Sequence, residues 1–254
     1  MDRLRFTQHI SRQFNTELEH VRSDVLRMGG LVEEQLGIAL AGLRDRQLLG
    51  LERVREAERE INRLELSIDE ACLRIMVRRQ PAASDLRLLL SAGRIVADLE
   101  RMGDEASRLA RLTGRLLADA IEPAQLEALA ELAQRVRGML RQALDALARG
   151  DVRLAEQVMA EDGLADRRYK QLIGELADYM ARVPAIIPRA IDALFAARAL
   201  ERIGDHCTNV SEHVIYLVRG EDIRHPKSRR ELDERLSGRE PAPPPAPTPA
   251  DPAH

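Results

Sequence analysis

Two hexapeptides, Leu99-Glu100-Arg101-Met102-Gly103-Asp104 and Leu200-Glu201-Arg202-Ile203-Gly204-Asp205, each set a Glu and an Asp four residues apart. On a helix that spacing puts both carboxylates on one face, with Cβ atoms roughly 5–6 Å apart, where like charges repel. The first pair lies beside the apolar positions Val96, Gly103 and Ala110, which places it at the edge of a helical bundle instead of far out in solvent. Asp162 and Asp166 have the same spacing, and if they face Glu201 and Asp205 across neighbouring helices, four carboxylates converge. Such a group needs a cation, and all-oxygen donors suit divalent or trivalent ions of Mg, Mn, Fe or Ca. Setting Glu58 and Asn62 beside Asp162 and Asp166 gives the first copy the set Glu58, Asn62, Glu100 and Asp104. That set has one formal charge fewer, so weaker or different metal occupancy is expected there.

Carboxylates four apart are also ordinary on exposed helices, and Arg101 and Arg202 could serve as their salt-bridge partners. Recurrence at one position of two repeats, beside a buried stripe and a glycine, sets these pairs apart. Other candidates are weaker. His206 follows Asp205 directly and so points away from the acidic face. Glu17-x-x-His20 has di-iron spacing, but that architecture requires two such motifs and two further Glu residues. Cys207 on an apolar stripe reads as a small core residue. With only Cys72 and Cys207, and no CxxC, neither a disulfide framework nor a structural zinc site is indicated. No Gly-rich phosphate loop, nucleophile elbow or HExxH is present.

Long amphipathic helices must carry these groups. Apolar residues from Ile10 through Phe14, Leu18, Val21, Val25, Met28, Val32, Leu36, Ala39 and Leu43 recur every three or four positions, which predicts one long helix. Gly29 and Gly30 within it suggest close packing or a bend. A second helix carries Val54, Ile61, Ile68 and Ile75 and stops before Pro81; a third, N-capped by Ser84, fades near Ala120. Pro123 opens a fourth, Gly150-Asp151 divides the fourth from the fifth, and Pro184 and Pro188 precede a sixth ending near Arg219-Gly220. Nothing reads as a strand. At 2% aromatic residues, no Trp and a net charge of −3, the composition argues against a nucleic-acid partner. The start of the chain lacks a signal-peptide apolar region, and no run of about 18 apolar residues is long enough to span a membrane, which predicts a cytoplasmic protein.

The flanks strengthen the repeat, because Arg79-Gln80-Pro81-Ala82 precedes the first hexapeptide as Arg182-Val183-Pro184-Ala185 precedes the second, at nearly the same distance. The expected fold class is all-α: two tandem three-helix bundles, residues 1–120 and 121–224, related by internal pseudosymmetry. Residues 225–254, rich in Pro and Ala, form a tail expected to be disordered.

Taken together, Glu17-Leu18-Glu19, Met28-Gly29-Gly30, Ile68-Asp69-Glu70-Ala71-Cys72, Arg79-Gln80-Pro81-Ala82-Ala83-Ser84-Asp85-Leu86-Arg87 and the two hexapeptides resemble the PhoU family of phosphate-specific transport system accessory proteins. The resemblance covers nearly the whole chain except the tail, and implies the same pair of three-helix bundles. It implies metal binding through Glu or Asp followed four residues later by Asp, matched by Glu100/Asp104 and Glu201/Asp205. It also implies a non-enzymatic negative regulator of the phosphate-starvation response that restrains phosphate uptake. Its partners would be the sensor histidine kinase of the phosphate regulon and the ATPase subunit of the phosphate ABC transporter. Homodimerisation, and recruitment to the inner face of the cytoplasmic membrane through those partners, are implied as well. The alternative from the residues alone is a carboxylate-bridged metalloprotein of ferritin-like type.

Overall fold

A computed structural model describes residues 2–81, 83–118 and 122–223, with side chains from residue 12 onward. The expected end of the third helix near Ala120 and the tail at 225–254 lie outside the described residues. Six α-helices run in order: α1 Asp2–Asp45, α2 Leu51–Arg79, α3 Ala83–Ala118, α4 Pro123–Arg149, α5 Val152–Arg182 and α6 Ile187–Arg219. No strand occurs among the described residues.

Local chemistry accounts for the junction of α4 and α5. Gly150 ends α4 in the left-handed region (φ 62°), a conformation without steric penalty for glycine, and its N–H donates to the Ala146 carbonyl. The next residue, Asp151, caps α5 by accepting from the Leu154 N–H at 3.1 Å. Two boundaries differ from expectation. Ser84 is not an N-cap: left-handed Gln80 (φ 48°) and Ala83 (φ 41°) make the turn around Pro81, so α3 already starts at Ala83. Pro184 opens a single 3-10 turn, Pro184–Ile186, and Pro188 falls inside the first turn of α6, where its missing N–H has no partner to lose.

Helices α1, α3, α6 and α4 pack in a closed ring, each against the next, while α2 touches only α1 and α3 among the helices and α5 only α4 and α6. Each repeat is therefore a three-helix bundle with two helices in a shared four-helix centre. One apolar core runs through both bundles, from Met28, Leu36, Ile61 and Leu99 to Leu132, Leu172, Leu200 and Ile203. Helix α6 meets α3, α4 and α5, and its small residues Ala190, Ala193, Ala196, Ala197 and Ala199 are all buried, which lets three neighbours approach it closely. Gly29 does similar work in α1: a Cβ there would lie 2.3 Å from Leu144 Cδ2 of α4. Gly30 faces open space, so close packing applies to Gly29 alone.

Candidate metal centre

In the second repeat α5 and α6 bring three of the four expected acids together, with Glu201 outside the group. Asp162, Asp166 and Asp205 each offer a carboxylate oxygen within 4.8 Å of the others. Among the described residues no other group of three or more Asp, Glu, His or Cys comes this close. Glu201 lies one helical turn before Asp205; its Oε1 accepts from Arg198 at 2.5 Å, while its buried Oε2 has no hydrogen-bond partner. Burial, then the Asp205 carboxylate, pushes the Glu201 carboxyl above the usual range, with Asp166 and Asp162 adding to the shift and Arg198 opposing it. Asp205 is exposed at its surface, but partial desolvation against α5 and the Asp166 carboxylate push it in the same direction, against Arg198, His206 and Arg202. A buried oxygen without a donor, among carboxylates that resist ionising together, fits a hard cation ligated by oxygen.

The first repeat is arranged differently. Glu58 does not join Glu100 and Asp104: its Oε2 accepts from Ser107 Oγ at 2.7 Å and lies 4.0 Å from Arg111, and Asn62 is exposed. The register of α2 against α3 explains the difference. A Cβ on Gly103 would meet Ile61 Cδ1 at 3.0 Å, whereas a Cβ on Gly204 would meet Asp162 Oδ1 at 3.6 Å. Ile61, not Glu58, thus occupies the place of Asp162, and Glu65, one turn on, occupies that of Asp166. Burial, then Asp104 and Glu65, raises the Glu100 carboxyl; burial, then Asp69 and Asp104, raises Glu65. The acidic pair spacing that marks α5 is broken in α2, where Ile61 replaces an acid, so matching Glu58 with Asp162 sets the helices three residues out of step and hides Glu65.

The glycines differ accordingly. Gly204→Ala adds a Cβ only at ordinary contact distances, so it is expected to be neutral or stabilising, by up to about 1 kcal/mol of helix propensity. Gly103→Ala must displace Ile61 and is expected to forfeit most of that gain. Urea midpoints of the two variants would compare them, and equal gains would count against the different registers.

Between the repeats, buried Asp98 of α3 binds α6. Its Oδ1 lies 2.8 Å from His206 Nδ1 and accepts from Asn209 Nδ2 at 3.1 Å, and its Oδ2 lies 3.8 Å from His213 Nε2. His206 therefore turns from the Glu201/Asp205 face toward α3, as its position in the helix predicts. Arg202 pairs with buried Glu105 of α3 and not with the acids of its own hexapeptide. Cys207 is buried in the core, where the apolar surroundings push its thiol well above the ordinary range. Glu17 accepts two hydrogen bonds from Arg79, at 3.1 and 2.9 Å, and His20 is exposed, so the ExxH spacing gathers no ligands.

Comparison with known proteins gives this arrangement a context. The PhoU domain pattern matches residues 25–113 and again 129–214, one match per repeat. The chain belongs to the PhoU family. It is 49% identical over 219 residues to a Pseudomonas putida phosphate-specific transport system accessory protein PhoU homolog, covering 86% of each chain. Against the Escherichia coli K12 phosphate-specific transport system accessory protein PhoU, identity is 40% over 240 residues, 94% of this chain and 99% of that one. The crystal structure of Pseudomonas aeruginosa PhoU superposes with a TM-score of 0.78 at 48% identity, covering 82% of this chain and all of that one. The Streptococcus pneumoniae phosphate transport system regulatory protein PhoU superposes at 0.74 with 28% identity, covering 84% of this chain and all of that one. The PhoU fold of paired three-helix bundles is thus the fold of this chain. No helix among the described residues is long and apolar enough to cross a membrane.

Proposed function

We propose that this chain is a non-enzymatic negative regulator of the phosphate-starvation response and a modulator of phosphate uptake. It acts as an adaptor between the ATPase subunit of the phosphate ABC transporter and the sensor histidine kinase. The observation that carries this reading is similarity along nearly the full length of relatives named phosphate-specific transport system accessory proteins. The adaptor works in the cytoplasm, as a homodimer, and reaches the inner membrane through its partners. Asp162, Asp166, Glu201 and Asp205 hold a divalent or trivalent cation in the second repeat, where the ion screens their mutual repulsion and fastens α5 to α6. The first repeat, with Glu65, Glu100 and Asp104, binds such ions more weakly, because Ile61 stands where Asp162 supplies a ligand. A ferritin-like metalloenzyme finds less support, since Arg79 occupies the Glu17 carboxylate.

Deleting the gene and measuring a phosphate-responsive reporter such as alkaline phosphatase in phosphate-rich medium tests the regulatory reading. Constitutive expression, reversed by the wild-type chain in trans, is the expected result; normal repression in the deletion strain sinks it.

A further inference from the structure

At one end of the seam between α3 and α6 lies an open crevice of ≈ 620 Å³ lined by Arg108, Arg111, Leu112, Arg115 and Phe195. The three arginines stand at i, i+3 and i+7 on one face of α3. Arg108 lies over the Phe195 ring, 5.3 Å from its centroid, and Phe195 remains 46% exposed. Ile187 and Ile191, about 40% exposed, continue the apolar stripe along α6 at four-residue spacing. The nearest acids only partly neutralise the arginines. Arg115 pairs with Asp192 at 2.7 Å, but Arg108 and Arg111 lie 3.8 and 4.0 Å from Glu105 and Glu58, too far for hydrogen bonds. Glu105 is shared, its Oε1 taken by Arg202 and its Oε2 facing Arg108, and Arg111 donates only to the neutral Ser107 Oγ, at 2.9 Å, which itself donates to Glu58.

The internal repeat supplies a control. The hexapeptides are 101 residues apart, and the same shift turns Arg108, Arg111 and Arg115 into Asn209, Glu212 and Tyr216, and Phe195 into Arg94. The equivalent place at the other end of the seam therefore lacks the basic column and the aromatic floor. Helix packing, common to both ends, does not require them.

We propose that this crevice docks an acidic segment of a partner protein, whose carboxylates meet Arg108 and Arg111 while an apolar side chain covers Phe195 and Leu112. Charge complementarity selects an acidic occupant, and Arg forks favour carboxylates held in a fixed geometry. The concave shape suits a protruding side chain better than a flat bilayer. Inorganic phosphate would fill little of the volume and leave Phe195 uncovered. The inference concerns a binding surface only and does not depend on the regulatory reading above.

The test is selection of random displayed peptides on the immobilised full chain, followed by fluorescence anisotropy with the best labelled peptide. Expected are binders rich in Asp or Glu with a Leu, Ile or Phe, and an affinity at least about tenfold lower for Arg108→Glu/Arg111→Glu. Arg55→Glu, on an exposed part of α2, is expected to bind within about twofold of wild type. Circular dichroism verifies the fold; should the double variant unfold, Phe195→Ala replaces it, with the same loss expected. The proposal is overturned if the binders carry no acidic bias or if the variant binds them as tightly as wild type. It is equally overturned if no peptide is recovered, whether or not phosphatidylglycerol vesicles or millimolar inorganic phosphate bind in an Arg108- and Arg111-dependent way.

Discussion

Asp162→Asn combined with Asp205→Asn is expected to abolish divalent-cation binding in the second repeat and, in metal-free buffer, to raise the melting temperature by a few degrees. Both effects have one cause. Glu201 and Asp205 have carboxyls raised above their unfolded values, so the folded state binds more protons than the unfolded one as these groups titrate. Their contribution is favourable below that range and is lost as pH rises through it, which leaves the acidic cluster destabilising at neutral pH. Amides remove the repulsion permanently; a cation removes it reversibly. In wild type, an ion at about a hundred times its dissociation constant adds about 2.7 kcal/mol, or about 5–10 °C for a chain of this size. Thermal melts with and without Mn²⁺ or Mg²⁺, alongside metal analysis, read both. An unchanged metal content and melting shift in the double variant would remove these residues from the ligand set. The metal-free wild type should also gain stability from these groups on mild acidification, partly offset by Glu17 and Glu60, whose carboxyls are lowered by Arg79 and Arg63.

The second large effect lies between the repeats. Asp98→Ala takes the acceptor from buried His206 and half-buried Asn209, a loss of about 2–4 kcal/mol. Asp98→Asn keeps an acceptor oxygen and should lose less than half as much. Denaturant midpoints would rank the two. Equal destabilisation would mean that the site depends on the charge of Asp98 and not on its hydrogen bonds.

Much of this architecture was legible because long helices repeat one signal many times. The apolar period of α1, the break at Pro81 and the Gly150-Asp151 junction each bear on a single helix, and sequence neighbours suffice to read them. The paired carboxylates within each hexapeptide were legible for the same reason, since i and i+4 share a face whatever the helix packs against. What joins different helices was not. Nothing local in α2 says whether Glu58 or Glu65 lies across from Glu100; the register depends on how Ile61 packs against Gly103, a contact between positions 42 residues apart. Nor does spacing foretell that Asp98 would meet His206, because that pair exists only once the two bundles share α3 and α6.

The ring of α1, α3, α6 and α4 also gives the molecule a spine and two outlying staves, α2 and α5, each seated against its own repeat alone. Of the four helices in the spine, α3 and α6 carry the acidic faces, and they also meet along the line where the repeats join. Drawing a stave inward at one acidic face therefore loads the joint itself, and the stave on the far side shares that joint. Two acidic faces with no residue in common therefore stand on helices that pack directly against each other.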